Sequence, residues 1–443
     1  MSQGVQSATG QRRSKVITGH QVDTRIVSID IFRGLTMLIM IFVNDLASVK
    51  GLPWWTYHME EVNGLTYVDM VFPAFLFIVG MSLPIAVKAR LKKNSSLSWL
   101  WFHVLLRTLS LLVLGLILAN AWNGDAALMR ISSPAWAFTA LLGAVLFWNV
   151  YGGSERFQTL SSVNAHNRLA PAEARAGAFA DHREPPGRLV RSRVLKFAGL
   201  VLLIGMFLIY RRTTHNGQVA WIDFSYWEIL GIIGWTYLAI SILYIPTRRW
   251  DWAPVAWFGL LLLFSIGTTA KWMTWPNHLP PYIWPFDTGS LCMIVMGGVI
   301  TSNIFLSSTE SLGKKMKVAL VFACSTLAAA VLLTPLGISK NHATPAWCLY
   351  SVGSSVLIFA ALYWICDVKK KNRWAFWIRP AGANTLTTYL VPDLYYYGAA
   401  AIGFRLLGDL DQSWAGVVRA VIFTLVMLGV AALLTKWRVR MQL

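Results

Sequence analysis

A polar cluster, TYHMEEVNGLTYVDM at 56–70, lies directly before a long apolar run. It contains His58, and an imidazole is the side chain best suited to general-base catalysis near neutral pH. Asn44 lies a short distance upstream, and an asparagine amide can donate a hydrogen bond to a developing oxyanion. A loop histidine by itself often has no function. The two residues together predict acyl transfer to an amine or a hydroxyl, with His58 and Asn44 as the catalytic candidates.

The elements that must position this cluster are membrane helices. The chain has 443 residues, of which 56% are hydrophobic and only 13% are charged, and its mean hydropathy is positive. This composition predicts an all-α, polytopic membrane protein, because a backbone embedded in lipid must satisfy its own hydrogen bonds. Apolar segments of about 20 residues, enough to cross the bilayer as helices, recur along the chain. Twelve helices are predicted, at 26–43, 66–87, 99–119, 134–150, 195–210, 228–245, 252–269, 288–306, 317–336, 344–366, 382–404 and 416–435.

Basic residues mark every second loop between these helices. Clusters of lysine and arginine precede the first helix and follow the second, sixth, eighth, tenth and twelfth helices. The positive-inside rule therefore places both termini and these loops in the cytoplasm, and it places His58 on the opposite side. The formal net charge of +19 is interpreted as a topology signal that also suits a polyanionic cytosolic ligand, and nucleic acid is not predicted as a partner.

The chain is predicted to contain two membrane parts joined by a polar loop. Residues 1–25 form a polar cytoplasmic tail without the apolar core of a signal peptide. A four-helix part covers 26–150 and carries the outer catalytic loop, 44–65. A cytoplasmic linker at 151–193 leads to an eight-helix part at 194–443. Four cysteines without CxxC spacing predict neither a disulfide framework nor a metal site.

Several stretches of this chain resemble a known family. RIVSIDIFRGLTMLIMIFVND, followed by YHMEEVNGLTYVDMVFPAFLFIVGMSL, resembles the start of the membrane domain in the heparan-alpha-glucosaminide N-acetyltransferase family. Further matches follow in the same order, in LLRTLSLLVLGL, FDTGSLCMIVMGGVITS, ISKNHATPAW and GANTLTTYL. The resemblance covers most of the membrane region and is most specific over its first 70 residues.

The resemblance implies an acetyltransferase that takes acetyl from cytosolic acetyl-CoA, its cosubstrate. The acceptor would be the amino group of glucosamine or of a terminal glucosaminide on the far side of the membrane. The family's active-site histidine falls on His58, and its asparagine at the end of the first helix falls on Asn44. Direct transfer with His58 as base is favoured over an acetyl-imidazole, because it needs one fewer high-energy intermediate. The relatives also imply a homodimer, and the layout predicts a multi-pass protein of the bacterial inner membrane.

Two further groups of residues are predicted to bind the substrates. Ionisable residues inside membrane helices are costly and are therefore functional candidates, and a guanidinium binds phosphate bidentately. Acetyl-CoA is predicted to contact Arg33, Arg107, Asn384 and Tyr389, and the acceptor is predicted to contact Asp45, Glu61, Asn63, Asp69, Lys340 and Asn341. Structural alternatives stay open: Arg33 can pair with Asp30, Asn384 and Tyr389 can bond between helices, and Asn63 and Asp69 can serve the N-terminus of the second helix.

The chain departs from the family in its eleventh helix. The lysosomal pattern has a histidine shortly after GxN…Y, where this chain has Pro392 and then Asp393. No role of that second histidine can therefore be carried over.

Two other functions stay open on the sequence. A secondary transporter for amino sugars suits twelve helices, but the cluster of Asn44 and His58 has no counterpart in the second half, where such transporters usually repeat their site. O-acetylation of a periplasmic glycan would use the same scaffold on a hydroxyl, and acceptor assays would separate the two transfers.

Overall fold

The computed structural model describes residues 26–59, 63–151, 186–226, 228–273, 288–307, 309–404 and 410–441. Helices dominate this part of the chain. In order they are α1 (Val27–Leu46), α2 (Val71–Lys93), α3 (Leu97–Ala119), α4 (Ala126–Met129), α5 (Ser133–Trp148), α6 (Pro186–Ile209), α7 (Glu228–Thr247), α8 (Ala253–Thr269), α9 (Ser290–Leu306), α10 (Leu312–Leu332), α11 (Pro345–Tyr363), α12 (Arg379–Ala383), α13 (Thr385–Ala401) and α14 (Ser413–Lys436). A small antiparallel hairpin joins α6 to α7, with β1 (Arg212–Thr213) paired to β2 (Val219–Ala220). Short 3₁₀ turns lie at Trp54–Thr56, Val68–Met70, Thr334–Leu336 and Arg373–Ala375, and a π turn lies at Trp364–Val368.

Each of the twelve predicted segments contains a helix, so the fold is that of an all-α membrane protein. Eight helices in the described part are long and apolar enough to cross a bilayer, namely α1, α2, α3, α6, α7, α10, α11 and α14. The apolar helices α5, α8 and α9 have 16 or 17 residues, and α13 also has 17. The total of twelve crossings stays a prediction.

The fifth predicted helix begins earlier than expected. We predicted it at 195–210, after a linker that ends at residue 193, but α6 begins at Pro186. Its first turns contain the arginines of GRLVRSR, which have the polarity of a loop. A helix can carry such residues where it leaves the apolar layer, so hydropathy alone places its start too late.

The connecting loops collect at two opposite faces of the molecule. At one face the Asn63 N–H donates to the Ile338 carbonyl at 3.0 Å, and the Asp125 N–H donates to the Arg211 carbonyl at 2.9 Å. We call this the outer face; it carries the loops after α1, α3, α6, α10 and α13. At the inner face, the carboxylate of Asp367 accepts from the first backbone N–H groups of α1 at 2.9 Å and so caps that helix. Successive membrane helices therefore alternate in direction.

The crossing of α2 and α9 depends on two glycines because the backbones nearly touch. A Cβ atom at Gly80 in α2 would collide with the Val295 carbonyl, and one at Gly298 in α9 would collide with the Phe77 carbonyl. Small residues permit this approach between membrane helices. The crossing fixes α2, and with it the outer loop that precedes α2, against the centre of the molecule.

A main apolar core runs through the described residues. It includes buried side chains from Ile29 in α1 to Met441 after α14, and its largest members include Trp136 in α5 and Trp347 in α11. The described helices of the two predicted parts therefore pack into the same core.

Candidate functional site

Three titratable side chains meet at the outer face. His58 Nδ1 lies 2.8 Å from Asp69 Oδ1, and Lys340 Nζ lies 3.2 Å from the same Nδ1 and 3.4 Å from Nε2. The Asp69 side chain is only 1% exposed, whereas 39% of the His58 side chain is accessible. Because a carboxylate can only accept, we assign the proton of a neutral His58 to Nδ1, which leaves the lone pair on Nε2. This is the tautomer that a general base needs.

Asp69 is held by more than its bond to the histidine. It lies in the 3₁₀ turn before α2, and its Oδ2 accepts from the Met59 N–H at 3.2 Å and from the Thr66 N–H and hydroxyl at 3.2 and 3.1 Å. Its carbonyl accepts from the indole N–H of the fully buried Trp347 at 3.3 Å. These bonds fix the carboxylate, and the carboxylate in turn orients the His58 ring.

Lys340 reaches the histidine because two outer loops are tied together. The N–H groups of Asn63 and Gly64 both donate to the Ile338 carbonyl, at 3.0 and 3.1 Å, and the Ile338 N–H donates to Asn63 Oδ1 at 3.3 Å. Asn63 therefore joins the loops, and the expectation that it caps α2 is wrong. Its φ of 129° is in the left-handed region, where asparagine is better tolerated than most residues.

The electrostatics of the cluster favour proton exchange. Burial lowers the pKa of the Lys340 ammonium, and the negative charge of Asp69 opposes that shift only in part. Lys340 therefore releases a proton more readily than a lysine at the surface. A weakly held proton next to His58 suits a group that must donate to a developing negative charge.

Three other predicted residues of the outer loops do not join the cluster. The Asn44 side chain is exposed and makes no hydrogen bond to another described residue, so its approach to His58 stays a prediction. Asn341 is exposed beside Lys340. Glu61 lies outside the described residues.

Asp45 belongs to a different outer feature, a cavity of about 700 Å³ at the ends of α1 and α13 and the start of α14. Its buried carboxylate accepts from the Tyr396 hydroxyl at 2.8 Å and lies 3.3 Å from the Arg419 guanidinium. Neither His58 nor Lys340 lines the cavity. Aromatic rings form much of its wall, from Trp122, Tyr395, Tyr396, Tyr397, Phe404 and Phe423.

Two further acidic residues lie at α13: Asp393 is part of this helix, and Glu228, at the start of α7, bonds to it. The Tyr389 hydroxyl donates to the Glu228 carboxylate, with oxygen distances of 3.3 and 3.4 Å. Asp393 follows one turn later, at the middle of α13, and lines the outer cavity. Tyr389, predicted to contact acetyl-CoA, thus bonds to a residue at the start of α7.

The remaining predicted donor-binding residues contact different helices, and Arg107 lies near the middle of α3. Arg33 donates to the Ser82 hydroxyl of α2 and lies 3.9 Å from Asp30. Arg107 stacks on the Tyr237 ring of α7, 4.7 Å from its centroid. The third residue, Asn384, donates its amide hydrogens to the Thr435 hydroxyl and the Val439 carbonyl, both at 3.0 Å. Asn384 therefore makes an interhelical hydrogen bond to α14, which is the structural alternative to contact with acetyl-CoA.

Comparison with known proteins places the chain in a family. The acyltransferase domain family matches residues 176–436, which is more than half of the chain. The chain belongs to this acyltransferase family. A second family, described only as a domain of unknown function (DUF5009), matches residues 25–159 of the acyltransferase, the region that carries His58 and Asp69.

The acyltransferase is also similar to heparan-alpha-glucosaminide N-acetyltransferase from Homo sapiens and from Mus musculus. Each is 34% identical over 96 residues, which is 22% of this chain and 14% of the relative. The matched segment thus spans about one seventh of the length of these curated relatives. With the apolar helices, these similarities identify a multi-pass membrane acyltransferase related to those enzymes and confirm the resemblance stated from the sequence.

Sequence reasoning assigned no role to three charged residues: Asp393 and Arg419, which line the outer cavity, and Glu228, which bonds to Tyr389. Each lies in an apolar predicted helix or directly at its end. The rule that singled out Arg33 and Arg107, that charge inside a membrane helix is costly, applies equally to these residues and could have found them.

Proposed function

We propose that this membrane acyltransferase moves acetyl from cytosolic acetyl-CoA to the amino group of glucosamine, or of a terminal glucosaminide, on the opposite side of the membrane. The hydrogen bond of 2.8 Å between His58 and the buried Asp69 carries the proposal. It gives an accessible imidazole the tautomer and the orientation of a general base.

In this reaction His58 Nε2 removes a proton from the acceptor amine while the nitrogen attacks the acetyl carbonyl carbon. The N–C bond forms, the C–S bond then breaks, and the protonated imidazole returns its proton to the leaving sulfur of CoA. Asp69 stabilises the transient imidazolium. Lys340, with Nζ 3.4 Å from Nε2, is placed to donate to the oxyanion of the tetrahedral intermediate. It takes the part that the sequence had assigned to Asn44.

The outer cavity has the size and the lining of an amino-sugar site on the same face as His58, although His58 itself does not line it. Its volume of about 700 Å³ is within the usual range for small-molecule sites, roughly 300–1,000 Å³. Its aromatic wall offers faces for a sugar ring or a cation, and the carboxylates of Asp45 and Asp393 attract an ammonium.

Two arginines support binding of acetyl-CoA from the inner side. The Arg107 guanidinium stacks on an aromatic ring and makes no ion pair with a carboxylate in the described structure, which leaves its N–H groups for phosphate. Arg33 lies on α1, beside α2. We place the protein in the inner membrane of a bacterium, with this face in the cytoplasm.

The test uses purified protein in sealed proteoliposomes, with labelled acetyl-CoA at the inner face and glucosamine at the outer face. Wild type is compared with His58→Ala and with His342→Ala, a matched control because His342 is an exposed histidine of the same pair of outer loops. The proposal expects labelled N-acetylglucosamine from wild type and His342→Ala, and a loss of about 10²–10⁴-fold in the rate for His58→Ala.

Other products would identify a different function. Acetyl on a hydroxyl of a glycan acceptor, without N-acetylation, would show O-acetyl transfer by the same scaffold. Movement of unmodified sugar without any acetyl product would show transport and would leave His58 as a binding residue.

A further inference from the structure

The inner ends of α2 and α3 form a basic pocket that the proposed reaction does not use. Its volume is about 660 Å³. The lining residues are Arg90, Lys93, Asn94, Ser95, Trp99 and His103.

Within the part of the chain that the structure describes, the cations of this pocket have no acidic counterion. The chain has no aspartate or glutamate between Asp69 and Asp125. Among the described residues, neither Arg90 nor Lys93 forms an ion pair with a carboxylate, although both act electrostatically on His103. Uncompensated cations beside one another attract an anion.

His103 adds an unused hydrogen-bonding atom to the same pocket. Its Nδ1 atom is buried and has no partner among the described residues. A buried polar atom without a partner is costly, and an anionic oxygen in the pocket would satisfy it as an acceptor from Nδ1–H. The donor set of Arg90, Lys93 and His103 is therefore suited to a phosphate group.

Exposed aromatic rings border the pocket on its lipid side. Trp99 is 48% exposed and Phe102 is 53% exposed. Their rings stack with centroids 5.6 Å apart, and Trp99 lies 4.6 Å from the His103 ring. Tryptophan at the end of a membrane helix is typical of the headgroup layer, so the pocket opens towards lipid headgroups.

We propose that this pocket binds the phosphate of an anionic phospholipid headgroup. Arg90 and Lys93 supply positive charge, and His103 supplies a directed hydrogen-bond donor. Trp99 and Phe102 pack against the part of the acyl chains next to the headgroup. The same phosphate chemistry occurs in soluble anions, including CoA, but the exposed rings favour the lipid as the source.

The test measures lipid binding by the full-length protein in detergent, using native mass spectrometry with added phosphatidylglycerol and phosphatidylcholine. Wild type should prefer phosphatidylglycerol. The double variant Arg90→Gln/Lys93→Gln should bind it about 30-fold more weakly, from roughly fivefold for each cation at a membrane surface. His103→Phe keeps the ring but removes the donor, and it should also weaken binding.

A matched control removes two charges elsewhere on the inner face. Lys314→Gln/Lys317→Gln changes exposed lysines of α10 and should leave the affinity within about twofold of wild type. An equal loss in this control would overturn the proposal in favour of general attraction by net charge.

Two further outcomes would also overturn the proposal. One is unchanged phosphatidylglycerol affinity in Arg90→Gln/Lys93→Gln, in protein whose melting temperature matches wild type. The other is displacement of the lipid by millimolar inorganic phosphate or CoA, which would make a soluble anion the occupant. Because binding is measured without turnover, the result is independent of the acetyl-transfer proposal.

Discussion

Asp69 determines which nitrogen of His58 carries the proton. Three further hydrogen-bond donors of the loop hold the Asp69 carboxylate in place. The fixed carboxylate therefore sets the orientation of the His58 ring. Such an arrangement stabilises one tautomer of the free enzyme and the imidazolium that forms during proton transfer.

Replacing Asp69 with Asn should therefore reduce catalysis more than substrate binding. The amide can donate to Nδ1 and favour the wrong tautomer, so we expect kcat for acetyl transfer to fall by about 10²–10⁴-fold with little change in KM. Steady-state kinetics on purified protein measures both constants. Asp125→Asn changes a half-buried aspartate of the outer face that contacts neither His58 nor Lys340, and its kcat and KM should match those of wild type. A KM effect alone would show that Asp69 binds substrate, as the sequence had suggested.

The lowered pKa of Lys340 predicts how stability depends on pH. Because burial lowers this pKa on folding, the folded chain releases the proton at a lower pH than the unfolded chain, and stability rises with pH between the two values. Lys340→Met removes the unfavourable free energy of burying the ammonium group. The variant should melt higher than wild type near pH 7, and the difference should shrink towards pH of about 10.4, the ordinary lysine pKa. Thermal melts in detergent across this range measure it, and an offset that stays constant with pH would contradict it.

The residues of the cluster could be named from the sequence, but their grouping could not. His58, Asp69 and Lys340 were all candidates, because their types suit proton transfer or sugar binding. The pairing of His58 with Lys340 joins positions 282 residues apart and depends on two loops that meet at one face. No short-range pattern in the sequence indicates that these two loops contact each other.

At the scale of elements, the crossing of α2 and α9 supports the outer cluster. Asp69 lies in the turn that leads directly into α2, and α2 is held against α9 where Gly80 and Gly298 let the backbones approach. A shift of this crossing would move the start of α2 relative to α11, which carries Trp347.

A single methyl group at the crossing should destabilise the protein. Gly80→Ala would place a Cβ atom against the Val295 carbonyl, which no rotation can relieve, so we expect a melting temperature several degrees below wild type. Gly429→Ala is the matched control, because a Cβ at that helical glycine meets no atom within 4 Å. It should leave the melting temperature unchanged or slightly raised, since alanine is the better helix former. Equal changes in melting temperature for the two substitutions would show that α2 and α9 can move apart at the crossing without loss of stability.

The helices themselves were predictable because lipid allows few alternatives. Runs of apolar residues had to be helical, and each predicted segment contains a helix. The ends were less predictable where polar residues continue a helix, as at Pro186, or where a break divides one segment, as at Asn384 between α12 and α13. Hydropathy measures the apolar layer and does not report where backbone hydrogen bonding begins or ends.

At the scale of the whole molecule, the two groups of loops define which surfaces face each compartment. The outer loops contact one another, and the inner loops do so at the other end of the helices. The basic residues after α2, α7, α9 and α11 all belong to the inner group, and the positive-inside rule predicts that this group is cytoplasmic.

Cysteine labelling in intact bacterial cells tests this orientation. Cys324 is exposed, so the experiment uses a Cys324→Ala background; the other three cysteines are buried. A membrane-impermeant maleimide should label Asn341→Cys in intact cells, and it should label Lys371→Cys only after permeabilisation. Both positions are exposed, which makes them matched reporters of the two faces. The reverse pattern would invert the orientation and place His58 in the cytoplasm.

The cap on α1 has a consequence for biosynthesis. The first backbone N–H groups of this helix are satisfied by Asp367, which is 340 residues later in the chain than Val27. The helix therefore enters the membrane long before its partner has been translated. The same delay applies to the proposed catalytic cluster, because Lys340 follows His58 by 282 residues, a gap that a ribosome adding about 5–20 residues per second covers in roughly 15–55 s. Throughout that interval the nascent chain holds its histidine at the membrane surface without Lys340, so truncated translation products should be inserted but catalytically silent.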